Sequence, residues 1–265
     1  MPLANLNGIN VNYRVEGQGE PLVMIMGFTA SRIGWMPQIP FFRKYYQLIT
    51  FDNRGVGKSD KPPGPYSTRM MADDTIKLMN LLGIEKAHIM GVSMGGMIAQ
   101  ELAINYPQRV LKLVLACTYA SQDETSGDTL EQARFLRLTP GKKVSAMVNL
   151  AFNKPLYRFI FGLLARVQTN FMGASNRVGI EGQSEACRQH NTLERLPSIT
   201  APTLVIVGTA DRIIKPVSSE VIAGKIPKAR LVRAEGGSHY FSFEMRNVFN
   251  HEVLDFLKSD APCIN

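Results

Sequence analysis

Short apolar runs alternate with stretches of helical periodicity along most of the chain, the pattern of a mainly parallel sheet covered by helices on both faces. The first runs read differently. Leu6 to Val15 alternates apolar and polar around Asn7-Gly8, which predicts a hairpin-like start. Pro21 to Met26 and Tyr46 to Phe51 read as buried strands, each followed by a glycine-containing loop. Met70 to Leu82 places Met71, Ile76, Met79 and Leu82 at helical spacing, and Gly83 stands where a helix C-terminal glycine belongs. Lys86 to Met90 predicts a strand and Gly96 to Ile104 a helix, and Val110 to Ala116 predicts the next strand.

The alternation then stops. From about residue 122 to 196 there is no convincing strand but several short helical stretches, Leu130 to Leu138, Lys143 to Phe152, Leu156 to Val167 and Glu181 to Leu193. The expected organisation is therefore an α/β core made of residues 1–121 and 197–265, with residues 122–196 inserted as a helical cap. The core resumes with a strand at Thr203 to Gly208, a helix around Val217 to Lys225, a strand at Ala229 to Arg233 and a last helix at Val248 to Leu257. A chain of 265 residues is long enough to bury such a core.

Charge changes this picture little. The net charge of +8 is concentrated in residues 129–200, where ten Lys and Arg face four Asp and Glu, a surplus of six. Those basic residues are spread out, with no Lys/Arg-rich run and no nucleic-acid motif, so a solvated basic face is expected and no nucleic-acid partner. The three cysteines, Cys117, Cys187 and Cys263, are distant and odd in number, which argues against a disulfide framework and gives no metal-ligand spacing. Cys117 ends an apolar run and reads as a small core residue. The first residues have neither a basic start nor an apolar run, and no uncharged apolar stretch approaches bilayer length. A cytoplasmic protein without a membrane span is the expectation; oligomeric state is open.

The chemistry concentrates at Gly91-Val92-Ser93-Met94-Gly95, which sits between a predicted strand and a predicted helix. Glycines on either side let a serine occupy a turn too tight for flanking side chains, exposing Ser93 as a nucleophile. On its own the motif is weak, since a serine also caps ordinary helices. A nucleophilic serine needs a base to take its proton and an acid to orient the base, and both belong on loops at the carboxyl ends of strands. Asp211 directly follows the strand ending at Gly208, and His239 follows the last strand in Gly236-Gly237-Ser238-His239-Tyr240. The other histidines fit less well. His88 begins the strand before the serine, His251 lies among apolar residues of the final helix, where a partly buried structural place is expected, and His190 lies in the insert, more naturally at a surface than in a pocket. Asp123 competes for the acid but adjoins its strand less closely, while Asp52 and Asp60 read as a hydrogen-bonded structural corner.

These segments together resemble the α/β-hydrolase fold superfamily along essentially the whole chain. The resemblance is carried by Gly91 to Gly96, by Asp52-Asn53-Arg54-Gly55-Val56-Gly57-Lys58-Ser59, by Gly208-Thr209-Ala210-Asp211 and by Gly237-Ser238-His239. The order Ser93, Asp211, His239 is the order that this fold uses. The chain is most similar in kind to 3-oxoadipate enol-lactonase-like ester and lactone hydrolases, and more loosely to meta-cleavage carbon–carbon bond hydrolases. The resemblance implies an oxyanion hole from the backbone N–H groups of Phe28 and Met94, a catalytic triad of Ser93, Asp211 and His239, and no metal or organic cofactor. It also marks a departure, Met26-Gly27 where relatives commonly carry His-Gly.

A pocket between the sheet's loops and the insert would draw on Trp35, Phe135, Phe152, Phe159 and Tyr240, favouring a small, mostly apolar substrate. Arg134, Arg137 or Arg188 could meet a substrate carboxylate, but no spacing selects among them. Three functions follow in order of expectation: a serine ester or lactone hydrolase, a carbon–carbon bond hydrolase or acyltransferase with the same triad, and a non-catalytic ligand-binding protein of the same fold.

Overall fold

The computed structural model describes residues 2–6, 8–122, 146, 148–170 and 174–259. Eight strands form one sheet: β1 (Leu3–Asn5), β2 (Asn10–Glu16), β3 (Pro21–Ile25), β4 (Gln47–Phe51), β5 (Ala87–Val92), β6 (Val110–Ala116), β7 (Thr203–Gly208) and β8 (Ala229–Ala234). Their spatial order is β1-β2-β4-β3-β5-β6-β7-β8. The first two pair antiparallel, as the hairpin-like start predicts, and every pair from β4 to β8 is parallel.

The helices are α1 (Ile39–Phe42), α2 (Thr68–Leu81), α3 (Met94–Asn105), α4 (Pro155–Asn170), α5 (Ala174–Arg188), α6 (Pro216–Lys225), α7 (Phe241–Glu244) and α8 (Arg246–Lys258). Ser67 caps α2 by accepting the Met70 N–H at 3.0 Å, and Gly83 ends it at a φ of +67°. Helix α3 is buried from Met94 to Ala103, so its apolar character all round suits a helix enclosed by the sheet and its neighbours.

Alternation along the strands divides the core into two layers. In β3, Val23 and Ile25 join the cluster that includes Met71 and Met79 of α2 and Ile98 of α3. Leu22 and Met24 point the other way, into a cluster with Trp35, Phe42 of α1, and Phe249 and Val253 of α8.

Between β6 and β7 the described residues are helical and contain no named strand, with α4, α5 and a 3-10 turn at Leu193–Ser198. Helix α5 begins seven residues before the expected Glu181 and stops at Arg188, because His190 and Thr192 are drawn into the core by side-chain hydrogen bonds. The expected helix at Leu130 to Leu138 lies outside the described residues, as does Asp123. No described helix is long and apolar enough to cross a membrane.

Candidate active site

Parallel strands deliver their following loops to one edge of the sheet. Val92 pairs with Ala116, Ala116 with Ile206, and Gly208 with Ala234, so the turns after β5, β6, β7 and β8 line one rim. Ser93, Cys117, Asp211 and His239 occupy those four turns.

Ser93 stands between β5 and α3 at φ 55°, ψ −123°, a conformation that non-glycine residues rarely adopt. Backbone contacts hold it there. Its N–H donates to Ala116 C=O at 2.9 Å, and its own C=O accepts from the Gly96 N–H at 2.8 Å and the Thr118 hydroxyl at 2.9 Å. The flanking glycines are required by space. A Cβ at Gly91 would lie 2.1 Å from Gly95 O, and one at Gly95 would lie 2.1 Å from Ile25 O. The helix therefore starts hard against β3, and no side chain fits between.

His239 and Asp211 form a pair, with Nδ1 2.7 Å from Oδ2. Asp211 is 5 % and His239 4 % exposed. The other carboxylate oxygen accepts from the Ile213 and Ile214 N–H groups at 2.8 and 3.0 Å, which fixes the acid without a second charge. No hydrogen bond joins His239 to Ser93 among the described residues.

Cys117 sits at the end of β6, fully buried and at a φ of +46°. Its sulfur, Asp211 and His239 bring ligand-capable atoms within 4.8 Å of one another. Asp211 is already engaged on both oxygens, so this trio is a hydrogen-bonded pair beside a thiol rather than an open metal site. Burial, and then the charge of Asp211, push the Cys117 thiol well above its ordinary range, so it stays neutral.

The turn after β3 runs beside Ser93. A Cβ on Gly27 would lie 3.1 Å from Ser93 Cβ. Ala30 N–H donates to Gly27 C=O at 3.2 Å, and Thr29 takes a φ of +58°. The backbone N–H groups of Phe28 and Met94 donate to no protein acceptor among the described residues. The methionine at position 26 does not hold this turn by its side chain, which is buried against Gly34. Asn53 does so instead, donating from Nδ2 to Met26 C=O at 2.9 Å. Thr29, Ser93 and Cys117 are the three non-glycine residues of positive φ in the described chain, and all stand at this rim.

The aromatic candidates separate. Phe152 and Tyr240 stack with centroids 5.0 Å apart, and Phe161 stacks on Phe152 at 4.6 Å. Tyr240 N–H donates to Ala151 C=O at 3.1 Å, and Glu244 accepts from Ser238 Oγ and from the Asn153 and Lys154 N–H groups. The turn carrying His239 is thus fastened to the residues that lead into α4. Trp35 is 1 % exposed in the core layer below the sheet, because the turn after β3 folds it under Met26, so it does not line an open cleft. Phe159 is 73 % exposed on α4, outside that stack. Phe135 lies outside the described residues.

His190 corrects the surface expectation. It is 3 % exposed, with Nδ1 2.9 Å from Thr68 Oγ1 and Nε2 3.3 Å from Thr192 Oγ1. His88 is buried in β5 beside Glu20, and Asp52 accepts from Arg32, Asn12 and Lys58, the structural corner that its loop predicts. His251 is exposed on α8 and bonds Asn247 C=O, whereas a partly buried place was expected. Two hollows of 370 and 440 Å³ among the described residues, one beside Pro65 and Glu181 and one beside His88 and Lys112, do not border Ser93.

Residues 20–170 match the profile of the alpha/beta hydrolase fold family. The chain belongs to this family. It is 28% identical over 263 residues to a protein assigned as the carbamate hydrolase RutD of Azorhizobium caulinodans, covering 97% of this chain and 98% of that one. The enol-lactonase of Burkholderia xenovorans LB400 superposes with a TM-score of 0.84 at 26% identity, covering 97% of this chain and all of that one (100%). Est816, described as an N-acyl homoserine lactone degrading enzyme, gives a TM-score of 0.86 at 27% identity, covering 96% of this chain and 100% of that one.

Proposed function

We propose that this hydrolase-family chain is a serine hydrolase cleaving the carboxylic ester or lactone bond of a small, mostly apolar substrate through an acyl-enzyme. The observation that carries the reading is Ser93 held at a positive φ on the rim that also bears the 2.7 Å His239–Asp211 pair. On this reading His239 takes the Ser93 proton as Oγ attacks the carbonyl carbon, and Asp211 fixes the tautomer and stabilises the imidazolium. The Phe28 and Met94 N–H groups receive the developing oxyanion. The carbonyl–oxygen bond then breaks and the imidazolium gives its proton to the leaving oxygen, which remains tethered if the substrate is a lactone. Water, deprotonated by the same imidazole, attacks the acyl-enzyme, and the proton returns to Ser93. Each step uses a protein group, so the reading calls for no cofactor.

Residues 122–196 would act as the cap over this rim, with Phe152 and Tyr240 supplying apolar surface. The similarity to the enol-lactonase and to Est816 supports a lactone or ester substrate, and that to RutD is the reason to test carbamates beside them. The test is turnover of short p-nitrophenyl esters, lactones, carbamates and vinylogous diketones, together with fluorophosphonate labelling. We expect ester or lactone turnover and labelling at Ser93, both abolished in Ser93→Ala. Faster diketone cleavage would give the carbon–carbon reading instead, and saturable binding without turnover would give the binding-protein reading.

A further inference from the structure

Besides the contacts of Phe152 with Tyr240, helix α5 reaches the same rim through a side chain that the mechanism does not use. Helix α5 presents Gly179, Gly182 and Gln183 at i, i+3 and i+4, on one face. A Cβ at 179 would lie 1.9 Å from Gly55 O, and one at 182 would lie 2.6 Å from the Tyr66 ring. The helix backbone therefore lies directly on the loop after β4. That close approach delivers Gln183, fully buried at 0 % exposure, to two backbones at once. Its Oε1 accepts the Thr29 N–H at 2.8 Å, and its Nε2 donates to Arg54 C=O at 2.8 Å.

A primary amide suits this place because it meets an N–H with an acceptor and a C=O with a donor. A hydrocarbon leaves both unpaired and a carboxylate leaves one. Thr29 is the third residue of the Gly27–Ala30 turn. A positive φ at that position belongs to the turn form whose central peptide is flipped, and it is costly for a β-branched residue. Gln183 grips the N–H of that same peptide. The preceding residue is Phe28, whose N–H is the proposed oxyanion donor, and stabilisation from such a donor depends on its placement to a fraction of an ångström.

We infer that Gln183 is a positioning residue for the oxyanion turn, so that seating of α5 on the core sets the placement of the Phe28 donor; this rests on the serine-hydrolase reading above. Gln183 does not touch the reacting atoms and acts through Thr29. The test compares wild type, Gln183→Leu, Gln183→Glu and the pair Gln183→Leu with Thr29→Gly, using a p-nitrophenyl ester and a boronic-acid transition-state analogue. In Gln183→Leu, kcat should fall roughly 10- to 100-fold with KM within about twofold, and analogue affinity should fall in parallel. In Gln183→Glu, the protonated carboxyl offers the same acceptor and donor, so kcat relative to wild type should be highest at low pH and decline as the pH rises. Adding Thr29→Gly removes the cost of the positive φ and should restore part of the kcat lost in Gln183→Leu.

A Gln183→Leu enzyme with wild-type kcat and analogue affinity, or one altered in KM alone, overturns the inference. If that variant does not fold, a Gln183→Glu profile parallel to wild type overturns it instead. Failure of the underlying reading shows separately, as turnover that survives Ser93→Ala.

Discussion

Ser93 and Thr29 stand in the turns after neighbouring strands, both at positive φ, 55° and 58°, yet they are held there by opposite means. The serine is fixed by steric closeness. Helix α3 starts so near β3 that Gly95 touches the Ile25 and Met26 carbonyls, and the bonds to Ala116 and Thr118 come from the adjoining strand end. The threonine is gripped by an amide from a helix 154 residues away, in a turn closed by Ala30 N–H on Gly27 C=O and supported by Asn53 on Met26 C=O. A turn of the first kind survives as long as the sheet does. A turn of the second kind depends on α5 being docked, so the Ser93 turn is built into the core while the turn beside it is assembled by tertiary contact.

The comparison breaks most severely at Gly95. In Gly95→Ala the new Cβ would meet backbone oxygens at 2.1 and 2.9 Å, with no flexible side chain to give way. We expect a loss of about 3 kcal/mol or more in unfolding free energy, with kcat falling as well, read from denaturant midpoints and initial rates. A stable, fully active Gly95→Ala would show that the elbow is not held by steric closeness.

Acid should act on the other side of the comparison. Burial, and then the charge of Arg195, lower the His190 pKa from 6.5 to about 3. The unfolded chain takes up this proton near pH 6.5 and the folded chain only near 3, so the stability that neutral His190 confers is complete above 6.5 and drains away as pH falls through that window. Its partners tie Thr68 of α2 to Thr192, which in turn bonds Gln100 of α3 at 2.6 Å. Between pH 7 and 4.5 we expect this group to contribute a loss of about 2 kcal/mol. In His190→Gln, which begins less stable, that part of the slope should disappear from the pH dependence of the denaturant midpoint.

The smallest effect is expected at Thr118→Val, which removes the hydroxyl bonded to Ser93 C=O and keeps the shape. A loss of about 1 kcal/mol with kcat changed only a few-fold would sharpen the view that closeness, not one hydrogen bond, holds the serine. A larger drop in kcat would move weight from the glycines to this bond.

Much of this was legible because it is local. The strand at Val110 to Ala116 and that at Thr203 to Gly208 stand where hydrophobic runs place them, and the strand–serine–helix unit follows from glycine spacing. Asp211 and His239 were found because each lies just beyond a recognisable strand, and the structure brings them together at 2.7 Å. Trp35 and His190 were misjudged for the converse reason. A tryptophan in a loop and a histidine just past a helix carry no pattern that tells a core contact from a cleft or a surface. Gln183 left a faint trace in the spacing Gly179, Gly182, Gln183, but small residues three apart do not name the backbone they approach.

The chain by itself determined its alternation of strand and helix, the tight turn at Ser93 and the placing of Asp211 and His239 just beyond strands, because these depend on side-chain periodicity and on space within a few residues. Only the folded molecule decided that Asn53 rather than residue 26 supports the turn after β3, that His190 is buried among threonines, and that Gln183 reaches Thr29. Those partners are chosen by the docking of distant surfaces, where an unmet N–H or C=O is costly and the side chain that answers it can come from anywhere along the sequence.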